Sequence, residues 1–310
     1  MSSQTINHRE FSARPVTIRD VAVRAGVSKK TVSRVINNEP HVMEQTATRV
    51  REAIRALGYV PNVSARRLAH GRSFALGIAF CPRHGSLGGW FADFLDGADE
   101  VSAEEGYHFL LHLLEPSADA AEKKVLRLID EGSVDGLLLL PPYGRENGVT
   151  EELVGRGVPF VRVDPPSLNE PWPSVFATNR QGAAQMAEYL VSNGHRRIGF
   201  ITGELGWWLS RERLAGFQEV VARHGLDADP ELTRQGDFTF ESGVVQGRHL
   251  LRMERRPTAI FASNDEMASG VLHVAHQMGL GVPGDVSVAG YDDITWARRM
   301  WPPLTTVRQP

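Results

Sequence analysis

The chain has 310 residues, 42% of them hydrophobic and 23% charged, with a formal net charge of −3, which is the balance of a soluble globular protein with room for about two domains, or one two-lobed domain and a small appendage. No apolar run is long enough to span a bilayer and the first residues carry no signal-peptide core, so a membrane protein is excluded and a cytoplasmic location is expected. A single cysteine, Cys81, cannot form an intrachain disulfide and reads as a small buried hydrophobe.

Residues 1–14 have no period and read as a mobile basic arm. In residues 17–37, Ile18, Val21, Ala22 and Ala25 recur at the spacing of one helical face. Thr17 and Asp20 have capping-box spacing at its start and Gly26 ends it. Ser28 is then a good N-cap for a second helix that turns Val32, Val35 and Ile36 inward. Its other face presents Lys29, Lys30, Thr31, Ser33, Arg34 and Asn37, which can donate to phosphates and to base edges in a major groove. Two short helices joined by a glycine-containing turn, the second basic outward, describe a helix-turn-helix. Periodicity alone also admits an ordinary helical hairpin with a solvated basic face.

A third helix buries Val50, Ile54 and Leu57 and stops at Gly58. Residues 59–62 read as a linker, and the segment 63–69 that follows is far below the roughly 12–15 residues at which an isolated helix becomes marginal in water, so it needs a partner to coil. Charge follows the same division. Residues 1–73 hold 13 Lys and Arg against 5 Asp and Glu, a balance of +8, which leaves 21 against 32, or −11, for the remainder. A basic front on an acidic body confines phosphate attraction to the front.

From residue 73 the texture changes. Apolar strands near 75–80, 108–114, 136–140 and 160–163 alternate with helices near 91–105 and 118–131. The alternation resumes with strands near 197–202, 259–262 and 286–290, set between helices near 180–193, 211–224, 242–252 and 265–278. Repeated strand, helix, strand implies parallel sheets with right-handed crossovers. Two such runs make two lobes, with a ligand cleft expected beyond the carboxyl ends of the strands.

Catalytic patterns are weak. His108 and His112 bracket a strand, where four residues span about 13 Å, too far for one ion. His273 and His276 share a helical face without a third ligand nearby, and the glycine-rich pieces at 85–89 and 279–284 lack the phosphate-loop pattern. No nucleophile elbow stands out. No enzyme activity, metal or cofactor is therefore expected.

The stretch AGVSKKTVSRVIN, from Ala25 to Asn37, resembles the headpiece signature of the lactose repressor/galactose repressor (LacI/GalR) family of bacterial transcription regulators. The resemblance implies an α/β protein with an N-terminal helix-turn-helix headpiece and a two-lobed, periplasmic-binding-protein-like core of parallel sheets. It divides the chain into a headpiece at 15–61, a hinge at 62–73 and a core at 74–310. Lobe one would take about 74–163 plus 303–310, and lobe two about 164–302. It also implies a homodimer on double-stranded operator DNA that represses carbohydrate-use genes and is controlled by a small sugar-like effector. The same cleft in relatives accepts purines, which keeps a nucleobase-responsive regulator open. The shared lobe architecture keeps open a solute-binding receptor.

Residue by residue, the resemblance adds Thr17 and Ser28 to the DNA-contacting set of the second helix. It makes 62–73 a hinge helix that enters the minor groove, with Asn62, Ala65 and Leu68 as contacts and Leu68 as the wedge. The bland alternative for this segment is a protease-sensitive linker. In the core it implies effector contacts from Asp164, Arg213, Phe238, Asn264 and Asp292. The residues themselves leave other roles open: Arg213 as a surface ion pair with Glu212, Asn264 as a helix cap, Phe238 as core. Trp207 and Trp208 are further stacking candidates. Two departures stand out. Relatives start the third helix with a serine cap and follow its threonine with arginine, where this chain has Met43 and Ala47. Relatives also continue beyond the segment TWARRMWPPLTTVRQP with another helix and strand, so the C-terminus reads as shortened.

Overall fold

A computed structural model describes residues 16–37, 39–60, 71–81, 88–115, 118–141, 148–165 and 170–310. The chain separates into two compact units, 1–72 and 73–310. The arm at 1–14 and the hinge contacts Asn62, Ala65 and Leu68 lie outside the described residues.

The first unit contains α1 (Ile18–Ala25), α2 (Lys29–Ile36) and α3 (Glu44–Leu57). Asp20 closes the start of α1 by accepting hydrogen bonds from the Thr17 backbone N–H and hydroxyl at 2.8 and 2.7 Å. Gly26 ends it at φ 64°, the left-handed conformation that a side chain disfavours. Ser28 caps α2 by accepting from the Thr31 N–H at 3.1 Å. Val21, Val32 and Val50, one from each helix, are wholly buried in the shared core, with Ala47 and Ala53 beside them. Met43 stands at the cap of α3 in extended conformation and offers no side-chain hydrogen bond. Glu44 supplies the acidic group that the first turn favours.

The second unit holds two five-stranded parallel sheets. The first comprises β1 (Ala75–Phe80), β2 (His108–Leu113), β3 (Gly136–Leu139), β4 (Phe160–Val163) and β5 (Ser174–Val175), in the order β2-β1-β3-β4-β5. Helices α4 (Gly89–Glu104), α5 (Ala118–Asp130) and α6 (Val149–Gly155) lie between its strands in sequence. The second sheet comprises β6 (Ile198–Thr202), β7 (Thr233–Gln235), β8 (Ala259–Ala262), β9 (Ser287–Asp292) and β10 (Thr305–Arg308), in the order β10-β9-β8-β6-β7. Its helices are α7 (Asn179–Ser192), α8 (Trp208–Arg223), α9 (Phe240–Leu251) and α10 (Asp265–Gln277). Strand order reverses between β1 and β3 in one sheet and between β6 and β8 in the other, the crevices where open parallel sheets bind ligands.

The central strands of the second sheet, β6 and β8, are buried at every residue, as strands covered on both faces are, and their largely apolar runs do not alternate. Phe200 stacks on Phe217 at 4.6 Å and meets Phe261 edge-on at 5.1 Å, tying β6 to α8 and β8. Each such fully buried side chain contributes roughly 1.5–3 kcal/mol relative to exposure.

Two boundary expectations are corrected. Residues 303–310 do not return to the first lobe: β10 pairs with β9 in register from Thr305 opposite Ala289 to Arg308 opposite Asp292. The cause is on the second lobe, where the Thr306 hydroxyl donates to Asp265 at 2.5 Å and Leu304 and Val307 pack into that lobe's apolar clusters. The first lobe, in turn, does not end at 163, because β5 pairs with β4 through Arg162 opposite Ser174.

Candidate functional site

Five residues widely separated in sequence, Asp164, Arg213, Phe238, Asn264 and Asp292, line one cleft between the two sheets, with about 850 Å³ of space that is partly open to solvent. Phe80 at the end of β1, Cys81 after it, Pro141 after β3 and Asp164 after β4 come from one lobe. Asn264 after β8 and Asp292 at the end of β9 come from the other. The carboxyl ends of parallel strands thus converge on it, which is where open parallel sheets bind ligands.

Arg213 is only 3% exposed, which removes the surface-pair alternative. Its Nε donates to Asn179 Oδ1 at 2.9 Å. Its Nη1 donates to the Ser263 carbonyl and lies 3.5 Å from Asp292. The guanidinium carbon stands 3.7 Å from the Tyr291 ring centroid. Nη2 has no hydrogen-bond partner among the described residues, so its two donors remain for whatever enters the cleft.

Asp292 lies beneath this arginine. Burial pushes its pKa up to about 6, against the lowering effects of Arg213 and of the Gln309 amide, which donates to it at 2.6 Å. Asp164 is raised for the same reason, opposed by the Ala177 N–H at 3.1 Å and by Arg213. Asp164 and Asp292 have φ of 44° and 117°, values a non-glycine residue seldom adopts.

Asn264 is the N-cap of α10. Its Oδ1 accepts from the Met267 N–H and its Nδ2 donates to the Phe238 carbonyl, both at 2.9 Å. The capping role left open by the sequence is therefore present, and the second bond ties down the bend that carries Phe238, between β7 and α9. Phe238 is both cleft wall and core: it lines the cavity, packs on the second lobe's apolar cluster and lies 5.5 Å from the Trp207 ring. Trp207 also lines the cleft, whereas Trp208 meets Phe176 edge-on at 6.3 Å.

Trp90, Asp237, Glu266 and Gln309 line the cleft as well, without having been singled out in the sequence. Asp237 and Glu266 were within reach, as immediate neighbours of Phe238 and of the Asn264 motif. Trp90 and Gln309 carried no local signal. Burial raises the pKa of Glu266, opposed by the nearby Gly89 N–H at the start of α4.

On the headpiece, Ser28, Lys29, Lys30 and Asn37 are exposed, and Thr31, Ser33 and Arg34 are half-buried. Lys29 and Lys30 make no ion pair among the described residues, leaving their charges available. Arg34 Nε lies 3.6 Å from Glu39. Thr17, half-buried, is engaged in its cap. Among the described residues, no group of three or more His, Cys, Asp or Glu side chains could hold a metal ion.

Residues 17–62 match the description "Bacterial regulatory proteins, lacI family", and residues 187–310 match "Periplasmic binding protein-like domain". The chain is 35% identical over 296 residues to the ribose operon repressor of Escherichia coli (strain K12), covering 95% of this chain and 88% of that protein. Among solved structures it is similar to the transcriptional regulator CelR–cellobiose complex, at 35% identity and TM-score 0.69, covering 96% of this chain and 88% of the other. It is also similar to the Lac repressor dimer bound to operator and the anti-inducer ONPF, at 31% identity, TM-score 0.78 and the same two coverages. With a headpiece and a two-sheet core that both match, the chain belongs to the LacI family of bacterial regulatory proteins, DNA-binding regulators of transcription.

Proposed function

We propose that the protein is a homodimeric repressor of carbohydrate-use genes whose grip on its operator is set by a sugar-like effector in the interlobe cleft. The observation that carries this is Arg213, buried yet with two donors that have no partner among the described residues, beside Asp164, Asp292 and the Phe238 ring. Donors, acceptors and an aromatic face together suit a ligand with many hydroxyls and apolar C–H faces. The cellobiose complex of one relative and the operator-bound dimer of another support the same assignment.

Two headpieces related by a two-fold axis would read a near-palindromic site, with Lys29, Lys30 and Arg34 reaching base edges or phosphates. Thr17, Ser28, Thr31, Ser33 and Asn37 complete the proposed contact set, and Asn62, Ala65 and Leu68 would hold the central step open in the minor groove. Ligand in the cleft biases the lobes toward one arrangement and so the hinge toward or away from its helix. The protein works in the cytoplasm as a binder rather than a catalyst. No helix among the described residues is long and apolar enough to cross a membrane.

A thermal-shift screen of sugars and purine bases, followed by genomic pull-down with and without each hit, tests this. A ligand far above its dissociation constant adds RT ln(1 + [L]/Kd) to stability. A sugar should raise the melting temperature and change operator retention. A response to purines alone would make the protein nucleobase-responsive, and conversion of the ligand on long incubation would make it an enzyme. Failure to retain any duplex, together with recovery outside the cytoplasm, would leave a solute receptor.

A further inference from the structure

We infer that Asn179 is a positioning residue for the cleft: a buried amide that sets Arg213 for its ligand and ties it to Asp164, so that the grip of the site follows the arrangement of the lobes. This rests on the cleft being the effector site.

Asn179 is the first residue of α7 and is only 1% exposed. Among the described residues it is not part of the cleft lining, so its influence on a ligand has to pass through its neighbours. Two of those neighbours do line the cleft. The Asn179 Oδ1 accepts from Arg213 Nε at 2.9 Å, while its Nδ2 donates to Asp164 Oδ1 at 3.4 Å and to the Ala177 carbonyl at 3.3 Å.

The choice of an amide follows from these partners. A guanidinium only donates and an ionised carboxylate only accepts, so the side chain between them must present an acceptor on one atom and a donor on another. Neither aspartate nor leucine, of similar size, does both. The same partners fix which way round the amide stands.

Arg213 needs such a holder. Its Nη1 is engaged by the Ser263 carbonyl and by Asp292, and the bond from Nε to Asn179 secures the other edge. With two corners of a planar fork held, Nη2 is presented in one direction. A fork set beforehand spares the ligand the cost of ordering it.

The other half of the amide makes this setting depend on the first lobe. Asp164 follows β4, whereas α7 and α8, which carry Asn179 and Arg213, pack on the second sheet. Asp164 also accepts from the Ala177 N–H, on the stretch where the chain passes from lobe to lobe. A twist of the lobes that shifts Asp164 therefore pulls on the amide, and through it on the arginine.

The test uses the full chain and two variants. Asn179→Leu keeps the size and loses both bonds; Asn179→Asp keeps an acceptor for Arg213 and turns a second carboxylate on Asp164. The first readout needs no ligand. The Arg213 Nε–H resonance in protein made with isotope-labelled arginine, identified by its loss in Arg213→Lys, should be protected from solvent exchange in the wild type and in Asn179→Asp. In Asn179→Leu it should exchange at least about tenfold faster. The second readout is affinity, by calorimetry, for glucose, galactose, ribose, cellobiose, adenine and guanine. Whichever binds the wild type should bind both variants at least about tenfold more weakly, the effect of losing a hydrogen bond to a charged group. A residue that merely supported the fold would lower the melting temperature without moving the Arg213 signal. Asn179→Ala gives the same readouts if Asn179→Leu fails to fold.

An unmoved Nε–H signal in Asn179→Leu overturns the holding of Arg213. Wild-type affinity in Asn179→Asp overturns the link to Asp164, and wild-type affinity in Asn179→Leu overturns the whole proposal while the effector reading stands. A purine base as the only binder removes the sugar reading and leaves the test of Asn179 intact. If none of these compounds binds the wild type, the effector reading and the share of Asn179 in affinity fail together, and the Nε–H signal still decides whether the amide holds Arg213.

Discussion

The Phe238 ring occupies the space that a side chain on residue 203 would need: a Cβ added to Gly203 would overlap its ring carbons. Gly203 directly follows β6, so the absence of one methyl group lets the aromatic wall of the cleft lie against the second sheet. Gly203→Ala should push the ring out of place and destabilise the core by about 1–3 kcal/mol, as overpacking does. Chemical denaturation reads the cost. The melting shift given by a binding sugar should shrink in the same variant, and a full-sized shift would mean that Phe238 does not shape the site.

Met43 leaves the start of α3 without a side-chain cap in an extended conformation that a serine could adopt. Met43→Ser should therefore stabilise the headpiece by about 1 kcal/mol. The residue is 77% exposed, so little packing is lost. Amide exchange in 44–57, read against the wild type, should slow; equal or faster exchange would show that Glu44 already satisfies that terminus.

Asp265, wholly buried beneath β9 and β10, is pushed up to about 7 by burial and by its neighbours Asp292 and Asp293, despite hydrogen bonds from Thr306 and the Ile294 N–H. An unfolded aspartate ionises near pH 4. Between those values the folded state holds a proton that the unfolded chain has released, so this group's contribution falls as pH rises through about 7. Asp292, at about 6, acts in the same sense. His112 and His195, lowered by burial, act in the opposite one, so the informative quantity is the difference between variant and wild type. Asp265→Asn should gain about 2–3 kcal/mol at pH 8 over what it gains at pH 5. Denaturant titrations at the two pH values measure it, and a pH-independent difference would place the Asp265 pKa near the ordinary carboxylate value.

Arg34 and Lys30 should separate base reading from phosphate attraction. The Arg34–Glu39 pair is partly exposed and holds the guanidinium only weakly. If Arg34 reads a guanine, Arg34→Ala should relax base preference by about 1–3 kcal/mol at one position. Lys30→Ala should weaken operator and random duplex alike and lower the salt slope by about 1. Equal losses on both duplexes for Arg34→Ala would assign it to the backbone.

The headpiece was legible in the sequence because its determinants are local. Apolar residues three and four apart, Ser28 at a cap and Gly26 at a stop fix α1 and α2 through contacts within one or two turns. The alternation of strands and helices was legible too, since each long apolar run of a two-sided parallel sheet stands alone as a signal. Short elements were not: β5 and β7 span two and three residues, too few to display a period.

By itself the sequence determined a basic two-helix reader, a βα-repeating body and, through resemblance, five residues to watch in that body. Tertiary structure alone decided that Asp164, Arg213, Phe238, Asn264 and Asp292 share one cleft, because strand order, and not spacing along the chain, brings strand ends together. It also decided that Arg213 is buried, that Asn264 caps a helix while lining the cleft, and that β10 joins the second sheet. The Asn264 cap itself is local, to Met267 three residues on, but its place in the cleft, the burial of Arg213 and the docking of β10 depend on distant partners, such as Asn179 for Arg213 and Asp265 for Thr306, which no window of local sequence contains.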